Sequence, residues 1–298
     1  MSITTATELW RMSATELTEA IRSRQVSSQE VIEAHLQHIE AVNGSINAVV
    51  IVMAEQALNA AKTADRTVAD GADLGPFHGV PFTVKENIDV AGTPTTQGFK
   101  ALTNAHPSRD APIIERLKAA GAIPIGLTNL PSGAIRWHCE SELWGATVNP
   151  WDRSRTPGAS SAGEAAAIAT GMSPLGLGND GLGSLRHPAQ CCGVSALKST
   201  LGRIPSQRSA GAAGRGPPRG VRCHGRANLA GPVDGARAAS RARSSQTRPS
   251  RCGARPCRPG NRRAGADGVR RAAHALEQAG CAVEELEPPG IDAAAKAW

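Results

Sequence analysis

The sequence predicts an α/β fold, a β-sheet covered by helices on both faces. Three observations lead there. Residues 74–205 alternate short apolar runs with helical patterns, which is how an α/β sheet reads in sequence. Residues 1–66 read as mainly helical, the N-terminal part of the same domain. After residue 265 a helical pattern over 269–280 is followed by an alternating strand pattern over 281–287. At 298 residues the chain is long enough for one large domain or two small ones.

Taken in order, Ser13-x-x-Glu16 and Ser27-x-x-Glu30 are capping boxes that open two helices. Val31, Ile32, His35, Leu36, Ile39 and Val42 follow helical spacing, and Asn43-Gly44 is expected to end that helix. A strand is expected over 46–52 and a helix over 54–69; packing accounts for this whole region. The core runs over 67–205. Its apolar run 80–84 reads as a buried strand that puts Lys85 at its end, facing a closed site. Asp110 is expected to cap a helix through Ala120, with Gly121 as its stop and a strand over 123–127 after it. His138-Cys139-Glu140 raises a cysteine hydrolase, but neighbours in sequence need not converge in space, and a core thiol is the simpler reading.

The densest stretch is 156–200. A turn over 157–160 precedes Ser161-Ala-Gly-Glu164, read as a third capping box for a helix over 165–170, with Gly171 as its left-handed stop. A short apolar run, 175–178, leads into a turn, 179–184, that offers consecutive N–H groups with little side-chain cover and has a serine at its end. A hydrolase presents a nucleophile beside oxyanion donors in this way, and losing one such donor costs ~2.7–4 kcal/mol. A glycine-rich connection with a surface serine reads the same locally. The G-x-G-x-x-G match at Gly176, Gly178 and Gly181 does not signal a dinucleotide cofactor. A poor helix start follows it, and no acid occurs between Asp180 and Asp234. A serine needs a base to become a nucleophile, and a lysine serves only when neutral, a form that burial favours. Lys85 is the candidate base.

Several motifs in one order carry a resemblance: G-A-S-S-A-G over 158–163, P-L-G-L-G-N-D-G-L-G-S-L-R-H-P-A over 174–189, then C-G and L-K-S-T. Upstream stand G-V-P-F-T-V-K-E-N-I-D over 79–89, G-A-I-P-I-G-L-T-N over 121–129, Trp144-Gly145 and N-P-W-D over 149–152. Together these resemble the amidase signature family of serine amide hydrolases, from about residue 13 to 205 and again, weakly, near the end. The resemblance implies a mixed β-sheet covered on both faces, incomplete at the C-terminus in a truncated or frame-disturbed member. It implies Ser184 as nucleophile, Ser160 as a bridging serine within a cis peptide bond, and Lys85 as base. It implies an oxyanion hole from the N–H groups of Gly181, Leu182, Gly183 and Ser184. The implied activity is hydrolysis of a small-molecule amide through an acyl-enzyme, with no metal and no cofactor. The alternatives are the amidase subunit of a glutamine-dependent tRNA amidotransferase and a non-catalytic remnant. Ala159, Ala162 and Leu182 stand where the family motif has glycine, and an alanine is strained wherever a positive φ is required.

The chain carries 33 basic and 26 acidic residues. The stretch 206–263 holds 14 of the first and 1 of the second, leaving 19 against 25 elsewhere, so this stretch alone makes the chain basic. Rich in Arg, Gly and Pro and almost without Ile, Leu and Phe, 206–264 is read as unable to bury enough apolar surface to fold. Such a composition is what GC-rich coding DNA gives when translated out of frame; a flexible insertion and a basic nucleic-acid arm are the rival readings. The arm lacks aromatics for stacking, so nucleic acid is not expected as a partner. Residues 265–298 are read as a partial return of the core. The N-terminus has no signal pattern and no apolar run nears the ~20 residues of a membrane span, so a cytoplasmic place and no membrane partner are expected. Seven cysteines without metal-like or disulfide-like spacing read as reduced thiols, with Cys191 and Cys192 in the core. A homodimer is the assembly expected.

Overall fold

The structure is a computed structural model, and it describes residues 6–199, 204, 250–252, 270–271, 273–275, 277–278 and 283–285. The chain divides into two compact units, Met1–Pro232 and Val233–Trp298. In the first, a 3₁₀ turn, Ala6–Arg11, leads to α1 (Ala14–Arg22) and α2 (Ser28–Ile46). Both helices open on the capping boxes expected: Ser13 with Glu16, and Ser27 with Glu30. Next come β1 (Val49–Val52), α3 (Ala54–Ala69), β2 (Pro81–Lys85), α4 (Pro112–Ala119) and β3 (Ile123–Thr128). A small ladder of β4 (Glu140–Ser141) and β5 (Gly145–Ala146) follows, then α5 (Ala162–Ala169), β6 (Gly176–Leu177) and α6 (Arg186–Cys192).

The main sheet has the order β1-β3-β2-β6. β1 runs antiparallel to β3, while β3, β2 and β6 are parallel, so the sheet is mixed. Helices cover both faces. On one, Ile123 and Ile125 of β3 pack with Ile32 and Ile39 of α2, Ala57 and Ala61 of α3, and Ala166 and Ala167 of α5. On the other, Phe82 and Val84 of β2 and Leu127 of β3 pack with Ile113 and Ile114 of α4. A register shift explains why one strand feeds both cores. Phe82 pairs with Pro124 but Thr83 pairs with Gly126, so β3 carries one extra residue and its alternation flips there.

Several local expectations are corrected. The second helix does not stop at Asn43-Gly44; it runs to Ile46 and closes on Asn47 in the left-handed region (φ 58°). Asn43 acts from inside the helix, its Oδ1 accepting the N–H groups of Ala48 and Val49 at 2.9 Å each. β1 accordingly starts at Val49 rather than 46. Asp110 is not the cap of α4. That place falls to Ala111, with Pro112 at the first helical position, and Asp110 instead accepts Ala91 N–H at 2.8 Å and Lys118 Nζ at 2.6 Å. Cys192 is buried as expected, but Cys191 is only half-buried.

In the second unit, β7 (Ser250–Cys252) pairs in parallel with β8 (Val283–Glu285), and residues 270–271, 273–275 and 277–278 are helical. The helix and β8 fall where the sequence predicts them. β7 lies inside 206–264, where no structure was expected; the remainder of that segment lies outside the described residues.

Candidate active site

β2 and β6 are parallel neighbours, Thr83 opposite Gly176 and Val84 opposite Leu177. Both end at the same edge of the sheet, so Lys85 and Asn179 leave it side by side. Lys85 is fully buried. Its Nζ lies 2.7 Å from Ser160 Oγ and 2.7 Å from Asn179 Oδ1. Asn179 is oriented in turn, because its Nδ2 donates to Asn87 Oδ1 at 2.8 Å and so its carbonyl oxygen faces the amine. Sequence reasoning alone misses Asn179 as a site residue. The signal is there, since pairing the apolar runs 80–84 and 175–178 in parallel brings the residues that follow them to the same edge of the sheet.

Ser160 ends the turn before α5 and is 2% exposed, and the Ala159–Ser160 peptide bond is cis, as the resemblance implied. Ser161 N–H donates to the Ser184 carbonyl at 2.9 Å, and Ser161 Oγ donates to the Asn179 carbonyl at 3.2 Å. These two bonds seat the 179–184 loop against the Ser160 turn, whose serine meets Lys85 from 75 positions away. Ser184 itself is half-buried at the loop's end. Neither Ala159 nor Ala162 has a positive φ, and both are buried, so alanine carries no strain there. The motif's glycine requirement falls on Gly158 (φ 82°), where a Cβ would lie 2.6 Å from Pro188 Cα.

Asp180 organises the loop. Its carboxylate accepts from Gly183 N–H (2.7 Å), Leu185 N–H (3.2 Å) and Arg186 N–H (3.2 Å), and from the Arg186 guanidinium at two points, both 2.9 Å. Burial alone would raise this carboxyl, but the guanidinium and the three N–H groups together hold it well below the usual carboxylate range. The Gly183 N–H is thereby committed to Asp180 and is not presented outward in this conformation. Gly181 and Leu182 are exposed, the latter by 75%, which leaves their main chain at the surface of the loop.

The third capping box does not form. Ser161 makes no side-chain cap bond, and Glu164 points into the sheet instead. Its Oε1 accepts from Thr83 Oγ1, and its Oε2 from Thr128 Oγ1 at 2.8 Å. Burial pushes this carboxyl up to about 7 against the opposing pull of the two hydroxyls and the Lys85 charge. Local spacing assigned Glu164 to its own helix because a cap bond spans three residues, whereas its actual partners are 81 and 36 residues away.

The cysteine alternative is not assembled. Cys139 is buried and its thiol is pushed up to about 11 by burial, far from the thiolate a nucleophile needs. His138 and Glu140 stand more than half exposed, facing each other at 3.8 Å.

The profile of the family described as Amidase matches residues 30–228. The chain is 46% identical over 198 residues to an indoleacetamide hydrolase of Bradyrhizobium diazoefficiens, covering 66% of this chain and 38% of that protein. It is 43% identical over 197 residues to a glutamyl-tRNA(Gln) amidotransferase subunit of Carboxydothermus hydrogenoformans, covering 66% and 41%. Among solved structures, native peptide amidase from Stenotrophomonas maltophilia superposes with a TM-score of 0.73 at 26% identity, covering 96% of this chain and 64% of that one. The chain spans about two fifths of the length of these curated relatives.

Proposed function

The chain belongs to the amidase family, and from that premise we propose that it hydrolyses a carboxylic acid amide to the acid plus ammonia or an amine, through an acyl-enzyme on Ser184. The observation that carries this reading is the buried Lys85 amine at 2.7 Å from Ser160 Oγ, beside the loop that ends in Ser184. Neutral Lys85 takes the Ser160 proton while one of its N–H bonds is spent on Asn179. Ser160 in turn takes the Ser184 proton, and Ser184 Oγ bonds to the amide carbon. The carbonyl oxygen becomes an oxyanion against the loop N–H groups of Gly181, Leu182 and Ser184. Gly183 N–H joins them only by exchanging its Asp180 bond for the oxyanion. The tetrahedral adduct then breaks its C–N bond, and the leaving nitrogen receives the proton back along Ser160. Water repeats the sequence in reverse roles and frees the acid.

The first test is ammonia release from a panel of primary amides, among them aromatic acetamides, with Ser184→Ala as the control. Release that Ser184→Ala abolishes supports the reading, and release by neither protein counts for a non-catalytic remnant. The similarity to amidotransferase subunits favours a second reading, the amidase subunit of a glutamine-dependent tRNA amidotransferase. Glutamine hydrolysis that appears only with partner subunits and tRNA distinguishes it. The reading takes the protein as cytoplasmic and homodimeric. No described helix is long and apolar enough to cross a membrane, and light scattering on the purified chain reads the assembly.

A further inference from the structure

We infer that Glu164 is a positioning residue for Lys85: a buried carboxyl, clamped between Thr83 of β2 and Thr128 of β3, that governs how much charge the lysine amine carries. The inference rests on the proposed role of Lys85 as base.

The placement follows from register. Thr83 and Lys85 are two apart on β2, so their side chains leave the same face. Thr128 is the residue directly opposite Lys85 on β3. A carboxyl that takes one hydroxyl from each strand therefore sits beside the root of the lysine side chain. The third strand makes room for it. Gly176, opposite Thr83 on β6, is where a Cβ would lie 2.0 Å from Glu164 Oε1 and 2.7 Å from its Cδ. Four elements thus converge on one carboxyl: α5 supplies it, β2 and β3 bind it, and β6 is pared to a glycine for it.

Packing alone does not call for this. The first turns of α5 are otherwise Ala and Gly, and its buried side chains are small and apolar. An acid 2% exposed is costly to bury, and an apolar replacement of similar volume is commonly neutral or stabilising. What the acid does that such a residue does not is act on a charge. The charged group acting on it is Lys85, from β2. From β3 and β6 it meets the Thr128 hydroxyl and Gly176. Cys139, which also senses Lys85, stays a neutral thiol. An ionised Glu164 favours the ammonium form of Lys85 and holds the base in reserve, while a neutral Glu164 releases it.

The experiment reads the lysine directly. The protein is labelled with ¹⁵N at lysine Nζ, the Lys85 signal is assigned by its loss in Lys85→Arg, and its shift is followed with pH in the native chain and in Glu164→Gln. The inference predicts that Lys85 titrates lower in Glu164→Gln by about one pH unit, the effect of one nearby opposite charge. Superimposable curves overturn it, whatever the activity of the chain. Should Glu164→Gln not fold, Thr128→Val keeps the carboxyl and removes one hydroxyl that stabilises its ionised form. Lys85 is then expected to shift the same way by a smaller amount, and no shift overturns the inference. A native chain with a titrating Lys85 but no amide hydrolysis counts against the proposed function and leaves this inference to be decided by the two curves.

Discussion

Four side chains carry the proposed chemistry at the level of single residues. Lys85, Ser160 and Ser184 are identifiable from the motif, and the structure brings the first two to 2.7 Å. Asn179 is not, because its importance depends on which strand lies next to β2, and that is a long-range fact. It leads to a specific expectation. Asn179→Ala leaves Lys85 with one anchor fewer and frees the Asn87 side chain, so amide hydrolysis is expected to fall about 10-fold to 100-fold, a typical loss for a misplaced catalytic group, with a stability cost of about 1–3 kcal/mol for the buried bonds lost. Ser160→Ala removes the proton's route to Lys85 and is expected to lower the rate by ~10²–10⁴-fold with substrate KM little changed. Steady-state kinetics on whichever amide the panel identifies check both.

The elements explain why a local reading of the sequence succeeded in some places and failed in others. Capping boxes at Ser13 and Ser27 were readable because each is complete within four residues and solvent leaves it undisturbed. The identical pattern at Ser161 failed because β2 and β3 offer Glu164 two hydroxyls that its own helix cannot match. Asp110 failed likewise, drawn to Ala91 and Lys118. Glu164 also makes stability depend on pH. Its carboxyl titrates at about 7 when folded and near 4.5 when unfolded, so the folded state prefers the neutral acid. That preference is fully present below about pH 4.5 and is lost as pH rises through about 7. Measured by urea denaturation, the stability of the native chain relative to Glu164→Gln is expected to fall between pH 5 and pH 8; a constant difference contradicts it. The start of α5 is just as tightly placed. A Cβ on Gly163 would lie 2.4 Å from Asn129 N and 2.7 Å from Ala48 O, both main chain, so Gly163→Ala is expected to cost about 1–3 kcal/mol by the same assay.

Across the whole molecule, the apolar alternation of 74–205 was enough to foretell a sheet with helices on both faces. What it could not give was the order β1-β3-β2-β6, or the β3 register shift that serves two cores with one strand. The arginine-rich stretch is a different matter, since its composition is also what GC-rich coding DNA gives out of frame, a reading that the gene itself tests. We expect the DNA for codons 206–264, translated one base out of step, to yield fewer arginines and a renewed alternation of apolar runs. Sequencing the gene checks this, and an alternative frame interrupted by stop codons contradicts it. The expectations about activity depend on one proposed arrangement, a lysine amine that drives the Ser184 hydroxyl through Ser160. The most direct measurement is covalent capture by a fluorophosphonate, with the adduct located by peptide mass spectrometry. The account predicts an adduct on Ser184 in the native chain that is lost in Lys85→Met while the fold, read by circular dichroism, is retained. A folded native chain that takes no adduct on Ser184, or a Lys85→Met variant labelled as fast as the native chain, would contradict it.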